Sequence, residues 1–267
     1  EPPLGSGPYK IEEIEPGRRV VYSRVDDWWA DDLPMNTGRY NFDKVAYDYY
    51  RDKNVAYESF LGGEIDFWRE DDAARWNRLK QAERKSFIAK TFSHSRPEKV
   101  NAFIFNTRRE PFDDIRVRRA LSLAFNAGWI NKTLYSGQMK RIKSFYPNSE
   151  LAAKGRPDSK ELALLKQWEE TLPQDVFGPA YEPAHNSDNR QLRKNLRKAA
   201  TLLEESGWII KNGKRVHSKT EKPFEFEIIL NDTKAEKIGL ALIRNLKKLG
   251  IEVSLRVLDS SAFIGRL

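Results

Sequence analysis

The chain has 267 residues, a formal net charge of +8, 39% hydrophobic residues and 12% aromatic residues. That apolar content argues against wholesale disorder, and the length allows one large domain or two small ones. No apolar run approaches ~18 residues, which excludes a membrane-spanning helix on hydropathy. Cysteine is absent, so disulfides, thiolate metal sites and Cys nucleophiles are excluded. The start, Glu1-Pro2-Pro3-Leu4-Gly5, has neither Met nor a signal peptide and reads as a processed or truncated product.

Gly5-Ser6-Gly7-Pro8-Tyr9 reads as a tight loop leading into a strand from Tyr9 to Ile14. Pro8 and Tyr9 stand where a dinucleotide fingerprint needs further glycines and a helix start. Pro16-Gly17 is a turn, and Val20 to Val25 is the returning strand. The Trp28-Trp29 pair fits a loop packed on a sheet better than a pocket wall. Asp43 to Tyr50 alternates, with Val45, Tyr47 and Tyr49 on one face, and predicts a strand. Asn54 to Leu61 predicts a short helix ended by Gly62-Gly63. Glu64 to Phe67 follows as a strand, Asp71 to Gln81 as a helix, and Phe87 to Phe92 as another strand.

The chain is organised around Phe103 to Phe125. Val100 to Phe105 is rich in β-branched and aromatic residues and predicts a buried strand. Pro111 breaks it, and Asp113 or Asp114 can cap a new helix. Val117, Ala120, Leu121, Ala124 and Phe125 then recur at helical spacing, with Arg116 and Arg119 opposite. Trp129 to Tyr135 continues as a second helical piece after Gly128. Ser144 to Pro183 is a surface excursion with one helix from Ser159 to Glu170.

Ser187 can cap a helix that runs to Glu205 and stops at Ser206-Gly207. Its buried stripe is Leu192, Leu196, Ala199 and Leu203. Asn212-Gly213 signals a tight hairpin. Phe224, Phe226, Ile228 and Leu230 alternate with Glu225 and Glu227 as a strand. Ile238, Ala241, Leu242, Leu246 and Leu249 form a helical stripe capped by Gly250. Ile251, Val253, Leu255 and Val257 alternate as the next strand. A strand-helix-strand of these lengths implies a right-handed crossover and two parallel strands.

Catalytic constellations are not found. His94, His185 and His217 lie far apart, and no His-Glu-x-x-His supplies zinc ligands. No Gly-x-Ser-x-Gly elbow and no phosphate loop occurs. The pairs Asp26-Asp27, Asp31-Asp32 and Asp113-Asp114, and the triplet Glu70-Asp71-Asp72, fit helix starts and solvated loops, because adjacent side chains diverge.

The pI near 9.4 raises a second reading, a basic nucleic-acid-binding protein. Arg190, Arg193, Lys194, Arg197 and Lys198 form one basic set, and Lys140, Arg141 and Lys143 another. A solvated helix face explains the first set. Zinc-finger spacing, RNP-like aromatics and heptads are all missing.

Asn106-Thr107, with Pro111-Phe112-Asp113-Asp114-Ile115-Arg116-Val117-Arg118-Arg119-Ala120-Leu121, resembles a signature of the extracellular solute-binding proteins of family 5. These are the peptide-, nickel- and oligopeptide-binding proteins of ABC importers. Gly5-Ser6-Gly7-Pro8-Tyr9, Phe60-Leu61-Gly62-Gly63-Glu64-Ile65-Asp66 and Leu202-Leu203-Glu204-Glu205-Ser206-Gly207-Trp208 resemble further family elements, in family order. Asn41-Phe42-Asp43 with Tyr49-Tyr50-Arg51-Asp52 is most similar to the branch serving microcin C and oligopeptide importers.

The resemblance implies an α/β fold, two-lobed and like the type II periplasmic binding proteins, with parts of both lobes present. Residues 1–97 would be the middle portion of lobe one. Residues 98–267 would be the second lobe, truncated at its C-terminal end, with a hinge strand at about residues 100–107. The resemblance further implies a periplasmic monomer that captures a peptide or microcin-like solute and hands it to an inner-membrane ABC permease. No enzymatic step, cofactor, metal or nucleic acid enters that reading. Family members extend considerably further at both ends, so the chain is expected to be a fragment.

In parallel sheets, ligands gather beyond the carboxyl ends of the strands. That edge would carry Asn231, Asp232 and Thr233 after one strand, and Asp259 and Ser260 after the other. The resemblance places the loop matching Asn231 and the turn matching Ser260 at the ligand cleft. Asn106, in the hinge signature, completes the ligand-binding candidates. The competing reading is that Asn231 or Asp232 caps the following helix and Asp259 the next.

Overall fold

The computed structural model describes residues 3, 5–81, 86–186 and 188–267. They form two compact units: residues 1–69 with 83–88, and residues 70–82 with 89–267.

The first unit is built on an antiparallel sheet in the order β1 (Tyr9–Glu15), β2 (Arg19–Arg24) and β3 (Lys44–Asp48). Arg18 N closes the β1–β2 turn on Glu15 O at 3.0 Å, with Gly17 at φ 74°. A bulge between Ile11 and Glu13 shifts the register of that pair. Helix α1 (Lys53–Leu61) starts one residue before the expected Asn54, because Asp52 accepts from Asn54 N and Val55 N. The Trp28 and Trp29 indoles both donate to Ser6 O, at 2.8 and 3.0 Å. Trp28 also meets Tyr40 edge-on at 5.4 Å. The pair thus fastens a loop, as the packing reading expects.

The second unit holds the larger core. Helices α2 (Ala73–Gln81), α3 (Ile115–Ala124), α4 (Ala127–Leu134), α5 (Ser159–Lys166) and α6 (Asn189–Glu205) precede the hairpin of β4 (Trp208–Lys211) and β5 (Lys214–His217). Asn212 and Gly213 turn that hairpin with φ of 52° and 78°. Then come β6 (Glu225–Leu230), α7 (Thr233–Lys247), β7 (Glu252–Val257) and α8 (Ser260–Arg266). Strands β6 and β7 are parallel, in register from Glu225↔Glu252 to Leu230↔Val257.

Alternation decides which sheet face is buried. Phe224, Ile228 and Leu230 enter the core, while Glu225 stays exposed. Val117, Ala120, Leu121 and Ala124 of α3 meet Ala199 and Leu203 of α6 in the same cluster. The three alanines have no exposed surface, and their small size lets the helix axes approach closely. Arg215 of β5 is buried as well; its guanidinium donates to Leu249 O at 2.9 Å and Trp208 O at 3.0 Å. Burial lowers its pKa, and the Glu204 carboxylate at 3.7 Å opposes that shift. One side chain thereby ties the hairpin to the end of α7.

Polar side chains close the helix ends. Asn186 and Asn245 donate to the carbonyls of Phe125 and Ala124, at 2.7 and 3.0 Å, where α3 turns into α4. Asn195 donates to Asn186 Oδ1 at 2.6 Å and completes the network. Asp188 caps α6 by accepting from Gln191 N. Ser187, the expected cap, lies outside the described residues.

Asp114, not Asp113, caps α3, accepting from Arg116 N at 2.7 Å. The Arg116 guanidinium returns to Asp114, with Nη2 to Oδ2 at 2.6 Å. That side-chain hydrogen bond, more than any other influence, holds the Asp114 pKa below its ordinary 3.8. A depressed folded pKa gives stability that is complete above the unfolded value and is lost as pH falls through the folded one. Asp114→Ala is therefore expected to cost about 0.5–2 kcal/mol at neutral pH. Urea unfolding should show that cost shrinking as pH drops below the ordinary 3.8.

Three predicted strands are not observed as strands. Glu64–Phe67, Phe87–Phe92 and Val100–Phe105 join no ladder among the described residues. At the last of these the alternation is real: Phe103 meets Phe125 at 6.2 Å and Phe105 stacks on Phe112 at 5.4 Å, while Ile104 is 90% exposed. Periodicity fixes which face packs, but a ladder also needs a neighbouring backbone, and none is paired to it here. The predicted helix from Ser159 to Glu170 is helical only to Lys166 and continues as turns.

Candidate functional site

The candidate edge is built by β6 and β7 ending together. Leu230 pairs with Val257, and Leu258 N donates to Leu230 O at 2.7 Å, so both strands leave the sheet side by side. Asn231, Asp232 and Thr233 follow the first strand, and Asp259 and Ser260 the second. The crossover through α7 therefore brings these five sequence-predicted residues to one end of the sheet.

The two aspartates are helix caps. Asp232 lies in the extended region at φ −135° and accepts from Lys234 N at 2.8 Å, and its carbonyl takes Ala235 N at 3.1 Å. Asp259 accepts from Ala262 N at 2.9 Å and starts α8. Each carboxylate therefore occupies donors that an anionic ligand would otherwise find. Asn231 is not the cap; it is exposed and its amide is hydrogen-bonded to no described residue. Thr233 and Ser260 are also exposed.

Asn106 is fixed differently. Its Oδ1 accepts from Arg108 N at 3.2 Å, a local turn, and it shares no hydrogen bond with the edge residues. Its neighbour Phe105 stacks on Phe112, which meets Phe226 edge-on at 5.2 Å. That contact lies toward the start of β6, whereas the candidate edge is at its end.

Sequence reasoning missed one element of this edge. Lys234, in the first turn of α7, donates to Asp71 Oδ2 at 3.3 Å. Both side chains are more than half exposed, so the pair contributes little to stability. Its signal was present: a lysine next to a capping sequence is misplaced against the helix dipole unless an acid lies nearby. No group of three or more His, Cys, Asp or Glu is placed to hold a metal among the described residues. The edge offers an amide, two hydroxyls, an ammonium and two committed carboxylates, which suits hydrogen bonding to a polar ligand.

The sequence model of bacterial extracellular solute-binding proteins, family 5 Middle, matches residues 1–266. The chain belongs to that family. It is a family of solute binders and not of enzymes. YejA of Escherichia coli K12 is 39% identical over 269 residues, covering all of this chain and 44% of that protein. In Agrobacterium fabrum, a probable peptide-binding protein YejA is 34% identical with the same coverage. The peptidoglycan-binding protein YepA of that organism is 32% identical and is covered over 45% of its length. The chain thus spans less than half of the curated relatives it matches.

Solved structures agree on the fold. NikA from Brucella suis, in complex with Fe(III)-EDTA, superposes with a TM-score of 0.67 at 21% identity, over 98% of this chain and 45% of that one. The oligopeptide-binding protein AppA from Bacillus subtilis, in complex with a nonapeptide, gives 0.55 at 24% identity, over 98% and 44%. These likenesses establish a mixed α/β fold shared with part of such binding proteins.

Proposed function

We propose that this solute-binding family 5 chain is part of the substrate-binding component of an ABC importer. In this reading it captures a peptide or microcin-like solute in the periplasm and delivers it to an inner-membrane permease. The observation that carries the reading is the family match over residues 1–266. The relatives named for peptide and peptidoglycan binding support the solute class.

In the same reading the protein has the two-lobed, type II architecture and works as a monomer. Residues 1–97 supply the middle of lobe one and 98–267 most of the second lobe, with 100–107 as the hinge crossing. Helix α2 packs with the second compact unit, so the packing boundary lies upstream of residue 98. Hinges absorb backbone rotation at a few residues, and an extended segment free of ladder bonds, such as 100–105, suits that role.

Asn231 is the residue whose substitution tests the site, because its amide is exposed, bonded to no described residue and not spent on a cap. In the protein carrying its flanking sequence, Asn231→Ala is expected to weaken peptide binding by about 1–3 kcal/mol, the value of a buried hydrogen bond lost. Calorimetric titration with a peptide and a melting curve separate the outcomes. Unchanged affinity would remove Asn231 from the site, and unchanged melting with weaker binding would place it there.

A further inference from the structure

We propose that the outer face of α6 is an electrostatic docking surface for anionic phospholipid. The proposal rests on the reading above only in placing the protein beside the inner membrane. Arg190, Arg193, Lys194, Arg197 and Lys198 are all exposed on this one helix. From first to last they span about 12 Å at the α-helical rise. Arg190, Lys194 and Arg197 line one open groove with Gln191 and the helix cap Asp188.

What sets this face apart is that its cations have no ion-pair partner among the described residues. The neighbouring helix α3 is as rich in arginine, yet each arginine there is engaged. Arg116 pairs with Asp114, Arg119 pairs with Asp175, and Arg118 donates to the carbonyls of Phe112 and Asp113. The five cations of α6 form no ion pair and no side-chain hydrogen bond with any described residue. Folding therefore leaves five cations against one carboxylate, Asp188, along this groove and the turns beside it.

The composition of the face selects the partner. Protein interfaces are anchored by aromatic or arginine side chains packed into desolvated pockets, whereas the arginines of α6 are exposed along an open groove. On α6 the apolar residues Leu192, Ala199 and Leu203 are buried in the protein's own core. Its outward residues are charged or polar throughout. A face with several free cations and no anchor suits a fluid array of phosphate headgroups, to which each Lys or Arg adds roughly a fivefold increase in partitioning.

Vesicle sedimentation at low ionic strength tests this. Vesicles of equal parts phosphatidylcholine and phosphatidylglycerol are compared with vesicles of phosphatidylcholine alone. The protein should sediment with the anionic vesicles only, and added salt should release it. The triple variant Arg190→Gln, Lys194→Gln, Arg197→Gln should bind them roughly a hundredfold less, three of the per-residue factors multiplied.

A control triple variant at exposed lysines elsewhere, Lys219→Gln, Lys222→Gln, Lys237→Gln, should keep most of the binding. Equal loss in both triples would reduce the effect to net charge and overturn the proposal. Binding to phosphatidylcholine alone, no binding to either vesicle, or tighter retention on duplex DNA than on anionic vesicles at the same salt would also overturn it. Circular dichroism confirms that each variant is folded. A failure to bind peptide would count against the transport reading and leave the vesicle result standing.

Discussion

Phe224→Ala is expected to cost about 3–5 kcal/mol of unfolding free energy, the range for deleting a buried aromatic ring. Phe224 is 1% exposed and lies where three elements meet. Its ring stands 4.5 Å from that of Trp208 on β4 and 6.0 Å from that of Phe226 on β6. Its backbone joins both sheets, donating to Arg215 O at 2.8 Å and accepting from Glu252 N at 3.1 Å. Those backbone bonds survive the substitution, so the loss reports the ring and its cavity. Phe224→Leu should cost clearly less, because more of the volume is kept. Denaturant unfolding followed by tryptophan fluorescence checks both, with Trp208 as a reporter. A loss below about 1 kcal/mol for Phe224→Ala, typical of a surface change, would contradict the packing described here.

Gly250→Ala should cost about 2–4 kcal/mol, from left-handed backbone strain together with overpacking. Gly250 has φ of 77°, and its N–H donates to Lys247 O at 3.0 Å in the turn that ends α7. An added Cβ would stand 2.9 Å from Arg215 N and 3.3 Å from Gly213 O. Both are backbone atoms of the hairpin, so the clash cannot be relieved by a rotamer change. The same approach lets Arg215 N donate to Gly250 O at 2.8 Å. Gly213→Ala is the control: its φ is 78°, but a Cβ there meets nothing within 4 Å. The difference in unfolding free energy between the two variants isolates the contact from the strain.

Local pattern was a good guide wherever an element's packing face is made by its own residues. Val117, Ala120, Leu121 and Ala124 declared the buried face of α3, and Leu192, Ala199 and Leu203 that of α6, with Leu196 half-buried beside them. The alternation of Phe224 to Leu230 and the Gly250 stop gave the strand-helix-strand unit, including its parallel pairing. Pattern misled where the outcome depends on a distant backbone. Val100–Phe105 has the alternation of a strand and no strand partner among the described residues. Arg215 was illegible for a related reason. It sits in a lysine-rich hairpin that looks like surface, and only the carbonyls of Trp208 and Leu249, brought in by folding, make its burial tolerable.

At the candidate edge, composition named the right cluster but could not divide the roles. Asn231 and Asp232 are both good N-caps by residue type. The position of the first helical residue, Thr233, gives that role to Asp232 and frees Asn231. Asn106 entered through a motif, and its local turn shows how a motif residue can be spent on shaping its own loop.

The asparagine network at the α3–α4 corner has a kinetic consequence. The carbonyl of Ala124 is closed by a side chain 121 positions downstream, and that of Phe125 by one 61 positions downstream. Contacts so distant in sequence carry a large loop-closure entropy and form late. Helices of 10 and 8 residues are marginal by themselves, so during synthesis from the N-terminus this corner lacks its side-chain supports until the later residues emerge. Asn186 is made first, and Asn245, which ties α7 to the same turn, follows.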